Sequence, residues 1–235
     1  MPVAASSGVR LEPLEGLGSQ LRGWGSARVV AGLTNRRTDP SAWLGRFRVR
    51  ACAEAEQVHG AGIAVVTEAA AAAAPVAGCD ALVTGAAGVA LRIRTADCLP
   101  IFFLDPVRSV VGLAHAGWRG LAASLPARMV GALRHVFHSE PGALQVAIGP
   151  SIRPCCYEVG PEFAERFGPF VQERDGRRTC DLIGVAVEQL RRCGVRADRI
   201  VEARRCTACE TSEWFSLRRE GRETGRLTSF IMLRG

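Results

Sequence analysis

Apolar residues along this chain gather in short runs rich in β-branched types and bounded by turn residues. "ARVVAGLT" (27–34), "GIAVVT" (62–67), "DALVTG" (80–85), "GVALRIRT" (88–95), "LPIFFLD" (99–105) and "RSVVGLAHA" (108–116) each read as a strand. "ALQVAIGP" (143–150) reads as a buried strand running into a loop, and "RLTSFIML" (226–233) closes the chain as another. Between residues 80 and 116 the gaps are short and turn-marked, at Gly85 to Gly88 and Asp105-Pro106, so hairpins are expected there rather than helical crossovers.

Helical spacing is confined to three segments. "GLAASLPARMVGALRHVF" (120–137) carries it, with Pro126 either in the first turns or at a kink. "GPEFAERF" (160–167) and "DLIGVAVEQLRRCGV" (181–195) are amphipathic. Residues 1–28 are turn-rich and read as an irregular lead-in, and Ala69 to Ala74 as low-complexity surface sequence with room for a short helix. Strands outnumber helices and come in blocks, without a linker or an internal repeat. The expectation is one α+β domain over 29–235, with mixed β-sheets and helices packed outside.

Composition changes this picture little. A hydrophobic content of 48% and a charged content of 23% suit a globular protein with ample core. No stretch approaches the roughly 20 apolar residues that span a bilayer, and the N-terminus lacks a secretory pattern, so a cytoplasmic protein with no membrane partner is expected. The net charge is +7 and all 30 basic residues are arginine. Without lysine there is no Schiff base, no pyridoxal-phosphate chemistry and no P-loop lysine. The arginines are scattered rather than striped, and Tyr157 is the one tyrosine, so nucleic acid is not expected and a small anionic ligand suits the charge better. Nine cysteines without a signal sequence point to reduced thiols. Cys206 and Cys209 form a C-x-x-C with no second pair at zinc-ribbon spacing, which reads as a bystander, and adjacent Cys155 and Cys156 should diverge.

Four histidines limit the chemistry further. His135 and His138 stand near the end of a helical segment, where a cation is favourable without any ligand. His59 precedes a Gly-x-Gly turn that leaves room for an approaching group. Cys98 opens one apolar run after Asp97, and His115 closes the next before a Gly-Trp-Arg-Gly turn. His59, Cys98 and His115 could be three ligands of an open zinc site. A buried core cysteine and a Cys-His nucleophile dyad remain open on spacing alone.

Five motifs carry a resemblance. "QVHG" (57–60), "TADCLPI" (95–101), "HAGWRG" (115–120), "IGPSIRPCCYEVG" (148–160) and "FSLRREGRETGRLTSFIML" (215–233) occur in the order seen in the YfiH-like family, which "GLTNR" (32–36) and "DALVT" (80–84) also resemble. That family has been described as multicopper polyphenol oxidase or laccase-like, and as purine nucleoside phosphorylase. The resemblance implies zinc on His59, Cys98 and His115, about one ion per chain, with copper possible in the same place. It implies phosphorolysis of adenosine, inosine, guanosine and methylthioadenosine, and deamination of adenosine, in a monomer or small homo-oligomer. Arg119 and Arg36 are candidate phosphate anchors, Cys98 a candidate catalytic group, and Asp97 either the partner of a ligand histidine or a proton shuttle. Two other roles attached to the family are removal of serine from a UDP-muramyl sugar and phenol oxidation. The second is disfavoured, because a multicopper cluster needs more histidines than four. "NRRTDPSAWLGRF" (35–47) departs from the family's loop, so substrate contacts do not carry over from that region.

Overall fold

The computed structural model describes residues 10–14, 18–22, 28–67 and 75–235. The alanine run lies outside them. The strands are β1 (Arg10–Leu14), β2 (Gly18–Arg22), β3 (Val29–Leu33), β4 (Ala51–Glu54), β5 (Ile63–Val65), β6 (Ala81–Thr84) and β7 (Val89–Thr95). They continue as β8 (Leu99–Asp105), β9 (Val110–Ala116), β10 (Gln145–Ile148), β11 (Val171–Arg174), β12 (Arg177–Cys180), β13 (Ile200–Glu202) and β14 (Leu227–Leu233). The helices are α1 (Ala42–Arg46), α2 (Trp118–Ala122), α3 (Leu125–Phe137), α4 (Glu162–Phe167), α5 (Leu182–Arg192) and α6 (Leu217–Glu220).

Two six-stranded sheets form, in the orders β1-β2-β3-β14-β7-β4 and β13-β10-β8-β9-β6-β5, beside a small β11-β12 pair. Both large sheets are mixed: β4 runs parallel to β7, β5 to β6 and β10 to β13. The α+β expectation therefore holds. Alternation along β8 explains the layers. Phe102 and Leu104 join Leu91, Ile93 and Ile231 of the other sheet in a core between the sheets. Ile101 and Phe103 face the opposite way, onto Met129 and Leu133 of α3 and Leu190 of α5. With both faces covered, every residue of β8 and β9 is buried. That is why those segments read as unbroken apolar runs. The outer face of the first sheet is capped by α1, whose Trp43 stacks on Phe230 with ring centroids 4.1 Å apart.

Two expectations are corrected. Part of the lead-in is regular: β1 pairs antiparallel with β2, and β2 with β3. The sequence of β1 has no apolar alternation, and pairing rather than burial makes it a strand; Pro13, which cannot donate to a ladder, is tolerated because β1 is the sheet edge. The second correction concerns the hairpins. β8 and β9 do pair antiparallel, but β6 and β7 lie in different sheets, as do β7 and β8. A short turn-marked gap is equally compatible with a chain that changes sheets. Between β7 and β8 the reversal uses Asp97 at φ 88°. In the helical segment the break falls at Ser124 (φ 60°), which leaves Pro126 in the first turn of α3.

A candidate metal centre between two cavities

The change of sheet delivers Cys98 to the start of β8. Pro100 pairs with His115 and Leu99 with Ala116, so Cys98 and His115 come to the same end of the β8–β9 ladder. His115 shares the face of Leu113, between the sheets, and is 3% exposed. His59 arrives from the loop between β4 and β5 in the left-handed region at φ 59°. One ligand atom from each of His59, Cys98 and His115 lies within 4.8 Å of the others. The two imidazole rings meet edge to face, with centroids 4.8 Å apart.

One buried carboxylate organises the set. Asp80, fully buried just before β6, accepts from His115 Nδ1 at 2.9 Å, from the His59 amide at 2.9 Å and from the Gly60 amide at 2.6 Å. A carboxylate only accepts, so Nδ1 carries the proton and the Nε2 lone pair is left for another partner. The left-handed turn at His59 aims two consecutive amides at one carboxylate. Sequence reasoning passed over Asp80; its signal was an acid opening a fully buried strand. Gly117 is required by close approach, since a Cβ there would meet Cys98 Sγ at 2.9 Å.

These contacts set the ionisation of the site. Burial pushes the Cys98 thiol up, but hydrogen bonds from His115 and His59 outweigh it and bring the thiol down to about 7. Burial pushes His115 down, while Asp80 and Cys98 lift it to about 9. The protein alone thus pairs a thiolate with an imidazolium near neutral pH. Burial also opposes ionisation of Asp80, yet the His115 hydrogen bond and the Gly60 and His59 amides hold it below the usual carboxylate range.

Of the other anticipated residues, Asp97 and Arg119 line a cavity beside Cys98 and Arg36 does not. Asp97 is not the carboxylate that holds a ligand histidine: its oxygens accept from Thr207 Oγ1 at 2.6 Å and the Arg218 amide at 2.7 Å. It braces the loop around Thr207 against Cys98. Arg36 pairs with Glu220 at 2.5 Å, donates to the Thr211 carbonyl and covers the Phe215 ring, and it lines neither cavity of the site. Arg119 lies over the Trp118 ring at 4.6 Å and has no acidic partner among the described residues. His135 and His138 end α3, away from either group of metal-capable side chains. Cys155 and Cys156 do not diverge, and Cys206-x-x-Cys209 is not alone: Cys209 Sγ lies 3.6 Å from Cys155 Sγ and 3.3 Å from Cys156 Sγ.

Two cavities flank Cys98 and His59. One, of about 460 Å3, is walled by Arg94, Arg226, Gln57 and His115. The other, of about 380 Å3, is walled by Trp118, Arg119, Tyr157, Ile152 and Arg218. Both fall in the range of small-molecule sites, and both put arginines beside the sulfur. A slightly larger hollow near Arg46, Phe47 and Arg234 lies away from these residues. Among the described residues, no helix is long and apolar enough to cross a membrane.

Residues 31–234 match the family described as multi-copper polyphenol oxidoreductase laccase. The chain is 38% identical over 214 residues to purine nucleoside phosphorylase YlmD of Geobacillus stearothermophilus, covering 85% of this chain and 78% of that protein. It is 35% identical over 162 residues to adenosine deaminase RL5 of an unknown prokaryotic organism, covering 63% of this chain and 60% of that protein. The crystal structure of the Geobacillus YlmD superposes with a TM-score of 0.86 at 34% identity, over 96% of this chain and 99% of that one. Bacillus licheniformis YfiH gives 0.85 at 29% identity, over 92% and 97%.

Proposed function

The chain belongs to the YfiH-type family described as multi-copper polyphenol oxidoreductase laccase, and from that premise we propose that it is a zinc-dependent enzyme of purine nucleoside metabolism. It would cleave adenosine, inosine, guanosine and methylthioadenosine with phosphate and deaminate adenosine. The observation that carries this reading is the His59-Cys98-His115 set, oriented by Asp80 and opening onto a cavity whose Arg119 has no acidic partner among the described residues. The relatives' names, purine nucleoside phosphorylase and adenosine deaminase, support the substrate class.

The donor set fits zinc. Two imidazoles and a thiolate, with a carboxylate behind one imidazole and no fourth protein ligand in the group, are the donors of an open site. Bound there, zinc would supply Lewis acidity and make water acidic enough to act near neutral pH. The chain's own residues do the rest. Arg119 offers a guanidinium to phosphate and Trp118 holds it in place. Tyr157, kept a neutral phenol by burial and the Cys98 charge, presents a hydrogen-bond donor on the same wall. In phosphorolysis a phosphate oxygen bonds to the anomeric carbon as the bond to the purine nitrogen breaks, and the base leaves with a proton. In deamination water adds to the purine carbon bearing the amino group, and ammonia departs.

Phenol oxidation through a copper cluster is disfavoured on side chains. Among the described residues the metal-capable groups hold two histidines in total, and His135 and His138 join neither. The deciding experiment incubates zinc-loaded protein with adenosine and phosphate. Adenine with ribose phosphate, or inosine, without oxygen uptake is the expected outcome. Inert nucleosides with release of serine from a UDP-muramyl precursor would transfer the site to an editing hydrolase. Robust oxygen consumption on a phenol at stoichiometric copper would make it an oxidase.

A further inference from the structure

The loop after β10 meets the loop after β13, where Ser151 pairs with Cys206 in a parallel bridge. Cys155 and Cys156 come from the first, Cys206 and Cys209 from the second, and their four sulfurs all lie within 4.8 Å of one another. We propose that these four cysteines form a second metal site, a closed tetrathiolate that takes zinc for structure rather than chemistry. It is independent of the nucleoside reading, since it shares no ligand with the His59-Cys98-His115 set.

Distances favour a metal over a disulfide. A tetrahedral zinc site with Zn–S near 2.3 Å puts its sulfurs about 3.8 Å apart. The Cys155–Cys209 and Cys156–Cys209 separations of 3.6 and 3.3 Å sit near that edge, far from the roughly 2.05 Å of a disulfide. A disulfide would also use two sulfurs and leave two more crowded against it. An iron–sulfur cube needs its cysteines spread around several metal ions, wider than this group.

Arginines stand beside the sulfurs. The C-T-A-C turn is held closed by Glu210, whose amide donates to the Cys206 carbonyl at 3.1 Å and whose Oε1 accepts from the Cys206 amide at 3.3 Å. Four thiolates on one divalent ion carry two net negative charges. Arg219 Nη2 stands 3.9 Å from Cys156 Sγ, and Arg218 and Arg219 line the hollow beside Cys155 and Cys156. Such an ion would pin the two loops that Asp97 also ties together, through Thr207 Oγ1 and the Ile152 amide. It would therefore stiffen the wall of the smaller cavity without touching substrate.

Cys98→Ala protein isolates this site by removing a ligand of the other. Elemental analysis should then find about one zinc per chain, and cobalt substitution should give the intense visible absorption of a tetrathiolate. Adding Cys206→Ser and Cys209→Ser should abolish both. If that combined variant fails to fold, alkylation of the folded Cys98→Ala protein decides instead. Cys155, Cys156, Cys206 and Cys209 should be labelled only after chelation. Folded Cys98→Ala protein without bound metal, labelling that ignores the chelator, or a mass two hydrogens short with Cys209 linked to Cys155 or Cys156, would each overturn the proposal.

Discussion

Asp80 Oδ1 lies 2.9 Å from His115 Nδ1, with both side chains buried at the end of the sheet sandwich. That contact fixes the ring's tautomer and orientation, and the same carboxylate anchors the backbone of His59. Asp80→Asn keeps the shape but cannot accept from Nδ1 and two amides equally. Zinc affinity should fall by roughly 10- to 100-fold while the protein stays folded, the usual cost of losing such an outer partner. Competition against a graded chelator reads this directly. Unchanged affinity would mean His115 needs no orienting.

Gly117→Ala tests crowding rather than charge. The new Cβ would press on Cys98 Sγ at 2.9 Å and approach His59 Cδ2 at 3.5 Å. The φ of Gly117 is −81°, which alanine accepts, so backbone strain does not enter. Metal content should drop with little change in the unfolding midpoint. A fully loaded variant would show that the sulfur can shift freely.

Arg119→Ala and Arg36→Ala should fail differently. Losing a charge-assisted phosphate contact costs roughly 1.5 to 3 kcal/mol, so Arg119→Ala should lower kcat/KM about tenfold to a hundredfold with zinc retained. Arg36 braces α6 through Glu220, and its loss should appear first as a lower unfolding temperature. Steady-state kinetics beside thermal melts separate the two. Equal kinetics for wild type and Arg119→Ala would remove that arginine from the phosphate site.

Metal-stripped protein should show the thiolate at neutral pH. Cys98 titrates at about 7, below an ordinary thiol, and His115 at about 9, above an ordinary imidazole. The thiolate's contribution to stability is lost as pH falls through about 7, and the imidazolium's as pH rises through about 9, so the pair is intact between them. Iodoacetamide labelling of Cys98 should rise with a midpoint near 7, move upward in Asp80→Asn and be blocked by zinc. A midpoint near 9, the ordinary value, would show that the histidines do not stabilise the thiolate.

The sequence by itself determined the strands with unbroken apolar runs, because burial on both faces leaves no polar positions in β8 and β9. It also singled out His59, Cys98 and His115, since few residue types bind metal and those three sit at glycine-marked or strand-end positions. Pairing partners were decided in three dimensions. A short gap does not say whether a chain turns back or changes sheets, and the change of sheet at Asp97 carries Cys98 to the centre. Outer contacts were equally hidden: Asp80 and Asp97 both precede apolar strands, and only packing gives the histidine to one and Thr207 to the other. Cys156 and Cys206 stand fifty positions apart in sequence. Parallel pairing of β10 with β13 brings their loops side by side, so four cysteines with no readable spacing become one cluster.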